Sequence, residues 1–206
     1  TNYKIGWNKK MKLFFNFVLN NKIEDFRNLG KTRKNILLKN TAIRLHFRKK
    51  SMKSFVDKNS IYDIKNNIPF VYFPLHKEPE RSLLIGAPFY TNQLEVIENI
   101  AKSLPVNFNL VIKEHPGQVM RGWRSKSEYQ EIMNIPNVIF MHPNFSREKL
   151  YQDCSLVFSI AGTAGFEAAC YGKPAITLVD LNYSLLPSVQ KLNSFDELPE
   201  LIKKMI

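Results

Sequence analysis

The sequence predicts an α/β fold: a doubly wound parallel sheet preceded by a basic helical segment. Three observations predict it. From Ile68 onward, short apolar runs alternate with amphipathic helical stretches, as expected of strands buried on both faces and joined by helices. A small-residue turn, Ala161-Gly162-Thr163-Ala164-Gly165, joins one apolar run to a helix. The net charge of +12 is confined to one end: residues 1–66 hold 17 Lys/Arg against four acids, whereas residues 67–206 come to −1.

Each element has its own signal. Pro69-Phe70-Val71-Tyr72-Phe73 reads as a buried strand. The helix from Asn92 to Leu104 carries Leu94, Ile97, Ile100 and Ala101 on one face. Asn109 to Lys113 is the second strand, Ser127 to Met133 a helix, and Asn137 to Met141 the third strand. A short helix from Ser146 to Asp153 leads to a fourth strand, Ser155 to Ile160. A helix from Gly165 to Tyr171 and a fifth strand, Ala175 to Val179, follow. The closing helix, Phe195 to Met205, opens with Asp196 and Glu197, where the helix dipole favours acids. These elements make a Rossmann-like domain of residues 67–206.

Residues 1–66 read as a basic helical segment. Lys9-Lys10-Met11-Lys12 before Leu13-Phe14-Phe15-Asn16-Phe17-Val18-Leu19 superficially resembles a signal peptide, but the apolar part is short and lacks a small-residue cleavage site. A basic amphipathic helix there, and a second helical stretch from Thr32 to Phe55, could dock on an anionic membrane surface or serve as a solvated connector. No interleaving of aromatics with base-reading residues supports nucleic acid as a partner. The chain's two cysteines, Cys154 and Cys170, show neither metal-ligand spacing nor a disulfide framework, which favours a reducing cytoplasm.

In a parallel sheet, ligands bind beyond the carboxyl ends of the strands. Three loops there carry unusual chemistry: Pro74 to Glu80, Lys113 to Pro116, and Ala161 to Glu167. A cation, a carboxylate and an imidazole in Lys113-Glu114-His115 are costly to bury without partners, so the loop is expected to be solvated or ligand-facing. His115 could donate to a phosphate oxygen, with Pro116 stiffening the turn. The first loop mixes His76 with Glu78 and Glu80, either of which could serve as a general base or orient sugar hydroxyls. A solvated charged loop explains it as well. Small residues at 162–165 let a ligand approach backbone amides, a phosphate-favouring arrangement, though glycines also serve strand–helix packing. Arg121 and Arg124 could clamp an anion bidentately or simply be exposed. His142-Pro143 repeats the His-Pro pair more weakly. The four histidines show no metal-binding spacing, so no metal or other cofactor is expected.

In order, these segments resemble the capsule polysaccharide biosynthesis family of GT-B-fold bacterial sugar transferases. The matching pieces are Val71 to Glu80, Gln93, Val111 to Pro116, Ile135 to Val138, Gly162 to Ala168 and Gly172-Lys173-Pro174. The resemblance implies the C-terminal, donor-binding half of such an enzyme, similar to Kdo transferases. It implies a nucleotide-sugar, CMP-activated in related enzymes, as substrate, and a polysaccharide or lipid-linked acceptor at the inner membrane. By this resemblance His115 contacts the nucleotide and Thr163, with Gly162, Ala164 and Gly165, holds its phosphate. Lys113, Glu114 and Pro116 flank that contact, and Glu167 lies near the ribose or sugar. Glu78, Glu80 and His115 are the catalytic candidates, and His76 and Arg121 further substrate contacts. A GT-B enzyme needs two Rossmann-like domains, and residues 1–67 do not read as one. The expectation is therefore a fragment, or a half that works with a partner. A nucleotide-sugar 2-epimerase and a non-catalytic basic binding module are the alternatives.

Overall fold

The computed structural model describes residues 8, 11, 12, 34–64 and 68–206. Two compact units divide the chain, Thr1–Arg48 and Lys49–Ile206. The first expected basic helix, around residues 9–19, falls outside the described residues except at positions 11 and 12. The second is present as α1, Lys34–Asn59. Met52 and Val56, near its end, are buried in the core of the second unit. No helix among the described residues is long and apolar enough to cross a membrane.

The second unit is built on a six-stranded sheet: β1 (Phe70–Pro74), β2 (Asn109–Lys113), β3 (Val138–Met141), β4 (Leu156–Ser159), β5 (Ala175–Thr177) and β6 (Val189–Lys191). Every pairing is parallel, and the order is β3-β2-β1-β4-β5-β6. Strand alternation divides the core in two. Val71, Phe73, Leu110, Ile112, Leu156, Phe158 and Ile176 face one layer. Phe70, Tyr72, Val111, Val157, Ala175 and Val189 face the other.

The first layer is covered by α3 (Gln93–Ser103), α5 (Lys126–Met133) and α8 (Leu198–Met205), through Ile97, Ile100, Ile132 and Ile202. The opposite layer is covered by α6 (Arg147–Asp153) and α7 (Ala164–Cys170), through Leu150, Tyr151, Ala164 and Ala168. Caps fix where these helices start. The Asn92 side chain accepts from the Glu95 amide, Ser125 and Glu128 form a reciprocal capping box, and Ser146 accepts from the Lys149 amide. Helix α7 is followed by Gly172 at φ 69°, a left-handed position at which glycine carries no steric penalty.

Five elements differ from the sequence expectation. Helix α2 (Arg81–Leu84) and a 3-10 turn (Pro88–Tyr90) occupy the stretch between β1 and α3. Pro116 opens a helix, α4 (Pro116–Arg121), because proline suits the first turn, where its missing N–H is not needed. The sixth strand, Val-Gln-Lys, is short and only its valine is buried, so it shows no apolar run. The fifth ends at Thr177, not Val179.

Candidate functional site

Strand order reverses between β1 and β4, and the loops leaving these two strands flank the crevice where doubly wound sheets bind ligands. His76, just past β1, spans this point. Its Nε2 accepts from the Ile160 amide at 3.1 Å. Both backbone groups of His76 are taken by the Gln93 carboxamide, whose Oε1 accepts at 2.8 Å and whose Nε2 donates at 3.0 Å. The ring is buried, and a Cβ on Gly162 would lie 2.9 Å from its Cε1. Burial, with the neighbouring His115 and Arg124, pushes the His76 pKa down to about 4. The imidazole is therefore neutral, with its proton on Nδ1.

Beneath this histidine lies a buried polar network. Glu114 accepts from the His115 amide (2.7 Å), the Tyr129 hydroxyl (2.6 Å) and Arg124 Nε (3.0 Å). Arg124 also pairs with Glu78 Oε1 at 2.9 Å and donates to the His76 carbonyl. Gln93 donates to the same Glu78 oxygen. Burial raises the Glu114 pKa, while Arg124 and the donors around it pull the other way. Burial works against the Arg124 charge, but Glu114 and Glu78 outweigh it and hold the guanidinium above its ordinary value. Three donors converge on Glu114, so its ionised form is the one this pocket accommodates.

Here the structure corrects two expectations. Lys113 is 6% exposed and Glu114 1%, so neither is solvated. Each is buried because it has found a partner: the Lys113 ammonium donates to the Phe145 carbonyl at 2.6 Å. Burial and the nearby Arg147 lower the Lys113 pKa. Arg124 is not an exposed anion clamp, since its guanidinium is committed to Glu114, Glu78 and His76. The side chain of Arg121 lies outside the described residues.

His115 caps α4, and its Nδ1 accepts from the Gly117 amide at 2.9 Å. That bond places the proton of the neutral ring on Nε2, on an exposed residue. Burial is the main cause of a lowered His115 pKa; Glu80 opposes it, while Lys77 and Arg147 reinforce it. Lys77 reaches the same place, its Cδ 3.0 Å from where a Cβ on Gly117 would stand. Pro116 begins the helix that this histidine caps.

After β4, the Gly162 amide donates to Ser159 Oγ at 3.3 Å and the Glu167 amide to the Thr163 carbonyl at 2.9 Å. Thr163 is exposed, and its hydroxyl donates to Glu167 Oε1 at 3.0 Å. Arg147 Nη1 pairs with the other oxygen, Oε2, at 3.3 Å. The turn is backed by Tyr183, whose hydroxyl donates to the Gly162 carbonyl. A Cβ on Gly165 would come within 2.9 Å of the tyrosine ring. Burial pushes the Tyr183 pKa up to about 12.

The structure thus brings together His76, Glu78, Glu80, the segment 113–116 and the turn 162–167 along the carboxyl edge of the sheet. His142 stands apart. Its Nε2 contacts Asp57 Oδ1 at 3.1 Å, and its ring stacks on Tyr62 at 4.2 Å. Residues that sequence reasoning missed are Arg147 and Tyr183. The first is an ordinary exposed position on a helix, and the second lies in an irregular segment with no periodic pattern. Among the described residues, no group of three or more His, Cys, Asp or Glu side chains is placed to hold a metal.

Comparisons with known proteins accord with this architecture. The Thermosulfurimonas dismutans KpsC beta Kdo 2,7 transferase structure is similar at TM-score 0.51 and 16% identity, covering 80% of this chain and 53% of that one. For the beta Kdo 2,4 transferase of the same KpsC the values are 0.51 and 13%, covering 75% and 50%. UDP-GlcNAc 2-epimerase from Methanocaldococcus jannaschii gives 0.48 and 15%, covering 78% and 44%. The chain thus spans about half the length of these structures or less, and at such identities the likeness to the two KpsC structures concerns the fold: one Rossmann-like half of a GT-B architecture. No curated protein sequence matches the chain. The family model described as "Capsule polysaccharide biosynthesis protein" matches residues 7–187, and the chain belongs to that family.

Proposed function

We propose that this chain is the donor-binding half of a glycosyltransferase that takes a sugar from a CMP-activated donor during capsule or surface polysaccharide assembly. The observation that carries the reading is His76 itself. It ties the β1 loop to the turn after β4 at the switch point, within electrostatic reach of His115. In this reading the donor phosphate lies between His115 and the turn. The neutral His115 donates from Nε2, and the amides of Thr163 and Ala164, which lie between the internally bonded Gly162 and Glu167 amides, donate from the other side. Lys77 adds positive charge nearby. These donors stabilise the charge that develops on the departing nucleotide.

Roles divide among the acids. Glu78 is engaged by Arg124 and Gln93 and holds the loop in place. Glu80, near enough to His115 to oppose the lowering of its pKa, is the acid proposed beside the transferred sugar. Glu167 binds ribose hydroxyls, and Lys113 and Glu114 position the His115 loop from below. The acceptor side belongs to a second Rossmann-like domain, as the GT-B resemblance implies. The basic segment 1–66 docks on the cytoplasmic face of the inner membrane, where a lipid-linked acceptor would lie.

Calorimetric titration with CMP, UDP and GDP tests the reading. Binding of CMP, weakened by about 10-fold or more in His115→Ala, is the expected result, since a bond to a charged phosphate is being removed. Absence of binding by all three nucleotides would overturn it.

A further inference from the structure

We propose that Arg147 is a binding residue of this same site, exchanging its contact with Glu167 for a phosphate oxygen of the nucleotide. The inference rests on the donor-site reading above and adds a residue to it. Arg147 opens α6, the helix that follows β3, so it stands at the carboxyl edge of the sheet although β3 lies three places from β4 in the sheet order.

Glu167 shows what this arginine can hold. One oxygen of its carboxylate accepts from Thr163 Oγ1 at 3.0 Å, and the other pairs with Arg147 Nη1 at 3.3 Å. The turn hydroxyl and the guanidinium therefore already bracket a single two-oxygen anion. A phosphate that reaches Thr163 is within reach of Arg147 as well. The guanidinium suits phosphate as it suits carboxylate, since it can engage the oxygens of either through two parallel N–H donors.

Two features make the exchange feasible. The side chains of Arg147 and Glu167 are 55% and 28% exposed, and a half-exposed ion pair is weakly held. By contrast Arg124, on the same sheet edge, is buried and committed to its own carboxylates. Arg147 also stands close enough to lower the pKa of both His115 and Lys113, so its charge already acts on the site. Released from Arg147, the Glu167 carboxylate, which also contacts Tyr151, would keep capacity to accept from a ribose hydroxyl. One exchange thus prepares two contacts.

The test compares nucleotides with their nucleosides: CMP, UDP and GDP against cytidine, uridine and guanosine, by calorimetry. Arg147→Ala is expected to weaken the bound nucleotide by about 10-fold or more, leaving its nucleoside within about twofold. Arg147→Lys should recover part of the loss, and both substitutions fall at an exposed position. The double variant Arg147→Ala/Glu167→Gln separates a direct contact from unmasked repulsion by Glu167. Its nucleotide-to-nucleoside affinity ratio should stay low. Return of that ratio to the wild-type value, or equal losses for nucleotide and nucleoside, or no loss at all, overturns the role of Arg147 while the donor site stands. Failure of the wild-type protein to bind any of the three nucleotides removes the donor site itself, and this inference with it.

Discussion

The His76 ring and the Ile160 amide meet at 3.1 Å, joining the ends of β1 and β4 across the point where the sheet reverses its order. A neutral acceptor nitrogen is required there. Both backbone groups of the histidine are held by Gln93, so the ring has little freedom to turn away. The shape of the proposed phosphate turn thus depends on a side chain from a different loop.

Gly162→Ala tests that dependence. The added methyl would stand 2.9 Å from His76 Cε1 and 3.5 Å from Ser159 Oγ. Overpacking of a held ring costs about 1–3 kcal/mol, and the displaced turn should lose nucleotide affinity as well. Thermal unfolding and calorimetry read the two effects. A variant as stable as the parent would show that the ring yields easily.

The buried histidine also predicts a pH dependence of stability. Its folded pKa of about 4 lies below the ordinary imidazole value of 6.5, so the unfolded chain takes up the proton first. This contribution is fully present above pH 6.5, declines as the pH falls, and is lost below about pH 4. It amounts to about 3 kcal/mol. His115, also lowered, acts in the same sense. Urea unfolding at pH 7 and pH 4.5 should show the drop, and His76→Gln should flatten it. An unchanged pH slope in His76→Gln would rule the histidine out as its source.

Glu114→Ala should be severe. It strips the buried Arg124 guanidinium of its 3.0 Å partner and leaves the Tyr129 hydroxyl without its acceptor. Removing one member of a buried ion pair costs about 3–5 kcal/mol. Glu114→Gln keeps an acceptor and should cost less. Denaturant midpoints for the two variants give the comparison, and equal midpoints would mean that charge is unimportant in this network.

Tyr183→Phe removes the hydroxyl that bonds the Gly162 carbonyl but keeps the ring packed on Gly165. A loss of about 1 kcal/mol is expected for one hydrogen bond. Tyr183→Ala, which also removes the ring, should cost more and open the turn to faster amide exchange at Gly162 and Gly165. Matching exchange rates in the two variants would show that the ring contributes nothing.

Much of this was legible in the chain itself. The apolar runs at Phe70–Phe73, Leu110–Ile112 and Leu156–Phe158 announce central strands because such strands are buried on both faces. The His-Pro pair at 115–116 stands out because its chemistry is out of place in a core, and the small-residue turn at 162–165 because it breaks the apolar pattern between a strand and a helix. What stayed hidden involved partners distant in sequence. Lys113 looked solvated until Phe145 supplied a carbonyl, and Glu114 until Arg124 and Tyr129 enclosed it. Nothing in the local pattern around Tyr183 marks it as the support of a turn 18 or more residues earlier.

The sequence by itself determined the fold class, the succession of the main strands along the chain and the three loops at the carboxyl edge, because periodicity and turn chemistry are local properties. Only the tertiary structure decided which side chains of those loops stay at the open carboxyl edge and which hold the scaffold. Glu78 and Arg124 went to the scaffold, whereas His115 stayed outward and Arg147 joined the edge from another helix. That division rests on hydrogen bonds between residues far apart in the chain, and a charged side chain can be buried only where folding delivers its partner.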